Sequence, residues 1–413
     1  MARPLSFDPH HNSVAQNGGG LAALRLIRSR KVGPATFHRL LAEHGSAEAA
    51  LDALPRMAQD AGISDYQPCP IAVAEAEIAA GHRAGARLLT WDEPDYPARL
   101  RDIAEAPPVL WIKGQAGVLG RLPVAVIGAR NASSLGLRMA RGLAAGLAQA
   151  GAVVVAGLAR GIDTVAHEAA LPSGTIAVMA GGIDMIYPAE NTALAEAICD
   201  TGLLITEQPP GTEPVARHFP ARNRIISGLS QAVVVVEAAH RSGSLITAKA
   251  ALDQGREVMA VPGHPMDARA SGCNALIRDG ALLVRAAADV LVALNHDPAP
   301  AQPVQQSAEP APSPARKGMA GGLQPAAVAR RLAQLGHAMR REAPARPLPS
   351  DAGGPASLES RILSKLSPSP TEENLLIRDL GLPAATLAPA LLSLELAGQV
   401  RRLAGGRIAL VTG

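Results

Sequence analysis

Seven short apolar runs punctuate the middle of the chain: VAVIG (124–128), VVVAG (153–157), TIAVM (175–179), LLITE (203–207), AVVVVE (232–237), VMAV (258–261) and ALLV (281–284). A strand with one wet face alternates apolar and polar residues, and these runs do not. Near-continuous, β-branched apolarity is what a strand buried on both faces requires. Between the runs lie Ala-rich amphipathic stretches such as GLRMARGLAAGLAQAG (136–151). Strand and helix alternating in this way predict an α/β fold with a doubly wound, Rossmann-like parallel sheet over residues 86–294. ARLLTW (86–91) and VLWIKG (109–114) read as two strands that extend it at the start. Ligands of such sheets sit beyond the carboxyl ends of the strands, so the loops there hold the functional information.

Composition agrees with a core of Ala, Val, Leu and Ile, since aromatics are 2% of 413 residues while hydrophobics are 48%. That length holds two to three domains. Cys69, Cys199 and Cys273 lie far apart without metal spacing, and read as reduced, buried thiols of a cytosolic protein. The first twenty residues carry no apolar run behind their positive charge, and no stretch approaches the roughly 18 apolar residues of a membrane span. A soluble, cytoplasmic protein without membrane contact is expected. Formal net charge is +3, and between Arg121 and Leu294 there are 14 basic against 14 acidic residues. Thirteen of those bases are Arg, the residue suited to bidentate phosphate contacts. A polyanion would therefore be held by local clustering, not by overall charge.

Residues 1–20 are polar and predicted to be a disordered tail. Residues 21–85 read as a helical domain: LAALRLIRS, the turn Val32-Gly33-Pro34, ATFHRLLAEHG, and a further helix around IAVAEAEIAAGHRAG. This is a SAM- or helix-hairpin-helix-like outline, whose turn amides either touch a DNA phosphate or merely pack. Only Arg28, Arg30 and Lys31 flank the turn as bases. Residues 295–356 hold 11 prolines and read as a linker, with one basic helical pattern at AAVARRLAQLGHAMRRE. Residues 357–413 show three helical patterns, then a hairpin turning at Gly405-Gly406, the plan of a winged-helix-like domain. Its third helix, ATLAPALLSLELAG, has no Arg or Lys, so protein contact or packing suits it better than DNA reading.

The loops after the strands carry the donors. The first strand of the main unit ends in Gly128-Ala129-Arg130-Asn131. It lacks both the G-x-G-x-x-G of a dinucleotide site and the Gly-Lys-Ser/Thr loop of an ATPase. What remains is a glycine turn with a guanidinium at its tip, opening a helix, which suits an anion. In VAGLARGIDTVAH (155–167), Gly157 and Gly161 permit close backbone approach and Arg160 projects. Asp163 and His167 stand four residues apart, either as a dyad or as a helix-start cap with a structural His. FPARNRIISGLS (219–230) places Arg222 and Arg224 around Asn223, for adjacent phosphates or as a solvated pair. Ser242-Gly243-Ser244 joins hydroxyls and amides at a helix start, with Lys249 one to two turns in. VPGHP (261–265) and ASGCNALIRDGA (270–281) add turn glycines and Asn274. His218 and His264 have no metal-ligand spacing. The set is rich in donors and has no nucleophile–base pair: it predicts binding, with no catalytic residue, metal or cofactor.

The spaced set Tyr96-Pro97 with Leu100, AVIGAR (125–130), VAGLARGID with AH (155–167), GGID with IYP (181–188), FPARNRIISGLS, VVEA with SGSLITA, and VPGH resembles the DNA-processing protein A (DprA, also called Smf) family. The resemblance spans about residues 90–290. It implies an extended Rossmann-like domain that binds single-stranded DNA without sequence preference and homodimerises. It further implies protection of incoming DNA during natural transformation and loading of the RecA recombinase. The implied phosphate pocket uses Arg130, Arg160, Arg222, Asn223, Arg224 and Ser242-Gly243-Ser244. Two departures, Ala129 and Ala156 where the family commonly has Ser, each remove a hydroxyl. Between Leu122 and Leu294 the aromatics are Tyr187 and Phe219 alone. Limited stacking, supplemented by Arg planes, and steep salt dependence are therefore expected.

Two other classes fit the same sheet. A phosphoribohydrolase of the lysine-decarboxylase-like (LOG) group would need a PGGxGTxxE motif; PPGTEP (209–214) is the nearest string, and Pro214 bars a helix through its Glu. A nucleotide sensor would bind a mononucleotide tightly and show no dependence on oligonucleotide length.

Overall fold

The computed structural model describes residues 17–296, 355–366, 369–403 and 407–411. Expectations for residues 1–16, for the linker and its basic helix over 297–354, and for the Gly405-Gly406 turn lie outside them. The first helix, α1 (Asn17–Arg28), begins inside the stretch read as tail. With α2 (Pro34–His44), α3 (Ala47–Asp60) and α4 (Ile71–Arg83) it encloses a small core around Leu24, Phe37, Leu40 and Leu51. Helix α3 was not singled out in the sequence. It carries Pro55 internally, a residue that removes an amide donor and disfavours helix, yet Leu51, Leu54 and Ala58 bury one face of it.

Of the bases that flank its turn, Arg28 ties this helical unit to the sheet and Arg30 packs within the unit. Arg28 pairs with Glu77 at 2.9 Å and donates to the Glu207 carbonyl, while Trp111 Nε1 donates to the same Glu77. Arg30 lies over the Tyr66 ring at 5.5 Å.

Nine strands form one sheet: β1 (Arg87–Thr90), β2 (Val109–Gly114), β3 (Pro123–Ile127), β4 (Val153–Ala156), β5 (Thr175–Val178), β6 (Leu203–Thr206), β7 (Ala232–Val235), β8 (Glu257–Ala260) and β9 (Leu282–Leu283). Their order is β1-β2-β6-β5-β4-β3-β7-β8-β9. Strands β3 to β9 are parallel, and β1 and β2 join antiparallel at one edge. The period of two survives inside the apolar runs. Val124, Val126, Val154 and Val234 face one layer, against Leu143 and Leu147 of α6 (Ser134–Gln149). Ala125, Ile127, Val155 and Val233 face the other, against Ile225 and Leu229 of α9 (His218–Leu229). Both faces are covered, as the runs require. Strand β9 departs from that pattern: Leu282 and Leu283 stand at the sheet edge, 44% and 42% exposed.

The C-terminal unit has α13 (Pro355–Lys365), α14 (Glu373–Leu380) and α15 (Ala384–Leu396), then β11 (Val400–Leu403) paired with β12 (Arg407–Leu410). A short β10 (Thr371–Glu372), unforeseen in the sequence, pairs with β12 and completes a winged helix. No single described helix is long and apolar enough to cross a membrane. The three cysteines are free thiols; Cys199 is only half-buried, against the expectation for it.

Candidate functional site

The strand order reverses at β3, from which the chain runs outward first through β4, β5 and β6 and then through β7 and β8. Beyond the carboxyl ends of β4 and β5 opens a cavity of about 340 Å³. Arg130 and Asn131 supply one wall, Gly157, Ala159 and Arg160 the floor, Met179 to Gly181 the next strand end, and Tyr187 and Phe219 the far side.

The walls are built by close approach of loops. Ala129 donates to the Glu237 carbonyl at 2.7 Å, and the Ala129 carbonyl accepts from Ile162 at 3.2 Å. Gly161 has φ +77 and faces that carbonyl so tightly that any Cβ would collide with it, which is why a left-handed glycine is needed there. Gly128 packs against Ile162 at the head of α7 (Ile162–Ala170).

Under the floor lies a buried polar group. Asp163 accepts from the Gly157 amide at 2.9 Å. Burial pushes its carboxyl up, and the Arg222 guanidinium pulls it back down. Arg222, 5% exposed, donates to the Val178 carbonyl at 3.0 Å and fits only because residue 157 has no side chain. Burial lowers its pKa to about 10, so it stays charged at neutral pH, and its Nε–H has no partner among the described residues. Asp163 and His167 do not form the dyad that their spacing permits. His167, fully buried, accepts from the Leu158 amide on Nε2 and meets Thr175 Oγ1 with Nδ1. Thr175 spends its own proton on the Val154 carbonyl, so Nδ1 must donate and the ring is neutral. Burial holds its pKa down near 3. Both side chains are structural, but Asp163 holds the loop ahead of α7 and does not cap the helix, and His167 is not its partner.

Around the mouth the chemistry is aromatic and cationic. Arg130 is exposed, lies 5.0 Å over the Phe219 ring, and has no carboxylate partner among the described residues. Phe219 meets Tyr187 edge-on at 5.9 Å, and Tyr187 is 51% exposed. Arg160 carries an exposed ion pair with Glu190 at 2.6 Å, a contact that an incoming phosphate can replace at little cost. Asn131, Tyr187 and Phe219 line the cavity without being among the site residues expected from the loops. The signal available for the two aromatics is that no other Phe, Tyr or Trp lies between Leu122 and Leu294.

The other expected donors stand elsewhere. Arg224 turns away from the cavity to Glu207, at 2.7 Å, with 13% of its side chain exposed. Asn223 is half-buried outside the cavity lining. Ser242 caps α10 (Gly243–Asp253), accepting from the Ser244 amide, and the two hydroxyls lie 2.7 Å apart. Gly243 and Lys249 are exposed on that helix, on the β7 side of the switch. Asn274 is spent on the Gly263 backbone, accepting from its amide and donating to its carbonyl at 3.1 Å each. His218 and His264 each accept a local backbone amide. The PPGTEP segment runs without helix through Glu213, so it offers no helical carboxylate of the phosphoribohydrolase kind.

The model of the DNA recombination-mediator protein A family matches residues 87–295, that of the DprA-like N-terminal HHH domain residues 19–80, and that of the DprA winged helix domain residues 342–406. DNA processing protein DprA of Streptococcus pneumoniae is 46% identical over 198 residues, 48% of this chain and 70% of that protein. Protein Smf of Escherichia coli is 43% identical over 207 residues, 49% and 55% of the two chains. The X-ray structure of the pneumococcal protein superposes with a TM-score of 0.58 at 35% identity, covering 66% of this chain and 97% of that one. With its sheet, helical and winged-helix parts each matched in chain order, this chain belongs to the DNA recombination-mediator protein A (DprA) family.

Proposed function

We propose that this protein binds single-stranded DNA without sequence preference, seating a nucleotide in the cavity between Arg130 and Tyr187. One observation carries the reading: an exposed guanidinium with no carboxylate partner among the described residues lies over Phe219, beside an exposed Tyr187, at the carboxyl edge of a parallel sheet. A base has a π-face for Tyr187, Phe219 and the Arg130 plane, and the linked phosphate has Arg130, Arg160 and the charge of Arg222 beneath the floor. Stacking reads no base edge, so tolerance of sequence follows from the chemistry. A volume near 340 Å³ sits at the small end of ligand pockets, roughly 300–1,000 Å³, and suits one nucleotide of a longer strand. Duplex DNA keeps its bases stacked inside and cannot present one there.

The wider role follows family membership. We infer that the chain acts in the cytoplasm as a homodimer, shields incoming single strands during natural transformation, and loads RecA onto them. Binding and handing over a strand need no turnover chemistry, and Asp163 and His167 are committed to the loop beneath the floor.

Fluorescence anisotropy of a labelled oligothymidine and of its duplex, across a salt series, tests the reading. Preference for the single strand is expected, with log affinity falling by roughly 0.7 per phosphate contacted for each decade of salt. Equal affinity for duplex, or tight binding of a mononucleotide with no gain from strand length, overturns it.

A further inference from the structure

The switch point between β3 and β7 is where a sheet of this class opens its ligand crevice. Here that crevice is filled twice from within. Glu237, 7% exposed, lies across the start of α6 and accepts from both the amide and the hydroxyl of Ser133. The positive end of the helix is thus answered by an internal carboxylate.

The winged helix sits above it. Lys365, at the end of α13, donates from Nζ to the Ala132 carbonyl at 3.1 Å. Arg269, from the turn after β8, donates to the carbonyls of Ser364 and Leu366, which are the orphan acceptors of a helix C-terminus. Helix α14 packs beside α6. Burial at this seat pushes the Lys365 amine down, while Asp379 and Glu237 pull it back up.

These anchors lie on the loops that follow β3 and β8, to either side of β7. The Arg130 cavity opens over β4 and β5. Ser242-Gly243-Ser244 and Lys249, by contrast, follow β7. The seated domain therefore covers the ends of β3, β7 and β8, along which a strand would pass from the cavity to that second group of donors. Its own core, with Ile362, Leu366, Leu376, Leu391 and Ile408, includes no residue of the sheet domain. Lifting it breaks a few polar anchors and the packing of α14 beside α6, and leaves that core intact.

We propose that the winged helix is an intramolecular cover on the β3–β7–β8 end of the sheet, which a single strand longer than the cavity must displace in order to extend from Arg130 towards Ser242-Gly243-Ser244 and Lys249. This rests on the single-strand reading above. Affinity for a long strand is then reduced by the fraction of molecules that are open.

Full-length protein with Lys365→Glu, which removes one anchor and sets a carboxylate against Glu237, is compared with Arg269→Ala, which removes the other anchors from the sheet side. Anisotropy is read with a short and a long oligothymidine. The expected result is unchanged affinity for the short strand and an increase of about tenfold for the long one in both variants, as for a cover closed ten times more often than open. No length-dependent gain in either variant overturns the cover, and so does weaker long-strand binding, which would make the winged helix part of the DNA contact. If the unmodified protein binds neither oligonucleotide, the single-strand reading fails instead, and the two failures are thereby told apart.

Discussion

Replacing Gly157 by alanine is the sharpest perturbation the site offers. A Cβ at that position would overlap the Arg222 guanidinium, and the floor cannot yield because Asp163 holds the Gly157 amide. The guanidinium must move, giving up its hydrogen bond to Val178. A hydrogen bond from a charged group is worth about 1.5–3 kcal/mol. Disturbing a buried charge that faces a buried carboxylate costs about 3–5 kcal/mol when one partner is lost outright. Since the guanidinium shifts without vanishing, a loss of about 3 kcal/mol is expected. Urea unfolding followed by circular dichroism would register this as a midpoint lowered by about 1 M for a slope near 3 kcal/mol per M. In an Arg222→Leu background the new methyl meets no guanidinium, and Gly157→Ala is expected to cost under about 1 kcal/mol. The cycle should therefore return a coupling of at least about 2 kcal/mol. A cost below 1 kcal/mol in the unmodified protein, or equal costs in the two backgrounds, would refute the packing of Arg222 beneath Gly157.

Four further outcomes follow. His167 is held near pKa 3 when folded against about 6.5 unfolded, so its contribution is intact above about pH 6.5 and lost on acidification at up to about 1.4 kcal/mol per unit. Asp163, raised by burial, contributes with the opposite sign, fading as pH rises through its folded value. His167→Gln should therefore flatten the acid limb of a urea-midpoint series against pH, and an unchanged limb would deny the buried neutral ring. Glu237→Ala should cost about 1–2 kcal/mol by stranding the Ser133 amide and hydroxyl that it accepts from, and inorganic phosphate should recover part of it by occupying the start of α6; no greater phosphate response than the unmodified protein would count against Glu237 as an internal anion. Arg224→Ala should lower thermal stability by stranding Glu207 while leaving single-strand affinity within about twofold, the reverse pattern placing Arg224 back in the DNA contact. Tyr187→Ala should weaken binding by about 1 kcal/mol whatever the base, with Tyr187→Phe near neutral; titrations of oligothymidine and oligoadenine decide it.

The sheet was legible because every β-branched run had to be buried on two faces, and each run expected in the sequence became a strand, β9 included despite its exposed edge. Strand order and the antiparallel edge were not, since they depend on pairings between distant residues. The site divides in the same way. Arg130 and Arg160 were readable because a loop tip between glycines projects its side chain wherever the loop goes. What happened to Arg222, Arg224 and Ser133 depended on which group came across from another strand: Val178 and Asp163 for the first, Glu207 for the second, Glu237 for the third. Loop composition cannot reveal those partners. Tyr187, in a loop, and Phe219, at the start of α9, stand over thirty residues apart in the chain, and only the fold brings their rings to 5.9 Å.

Photo-crosslinking with an oligonucleotide carrying 5-bromodeoxyuridine, followed by peptide mass mapping, most directly tests where the strand lies. Adducts on Tyr187 or Phe219 are expected, strongly reduced by Arg130→Ala. Adducts confined to the Val32-Gly33-Pro34 turn or to the winged helix, with both aromatics unmodified, would contradict the account.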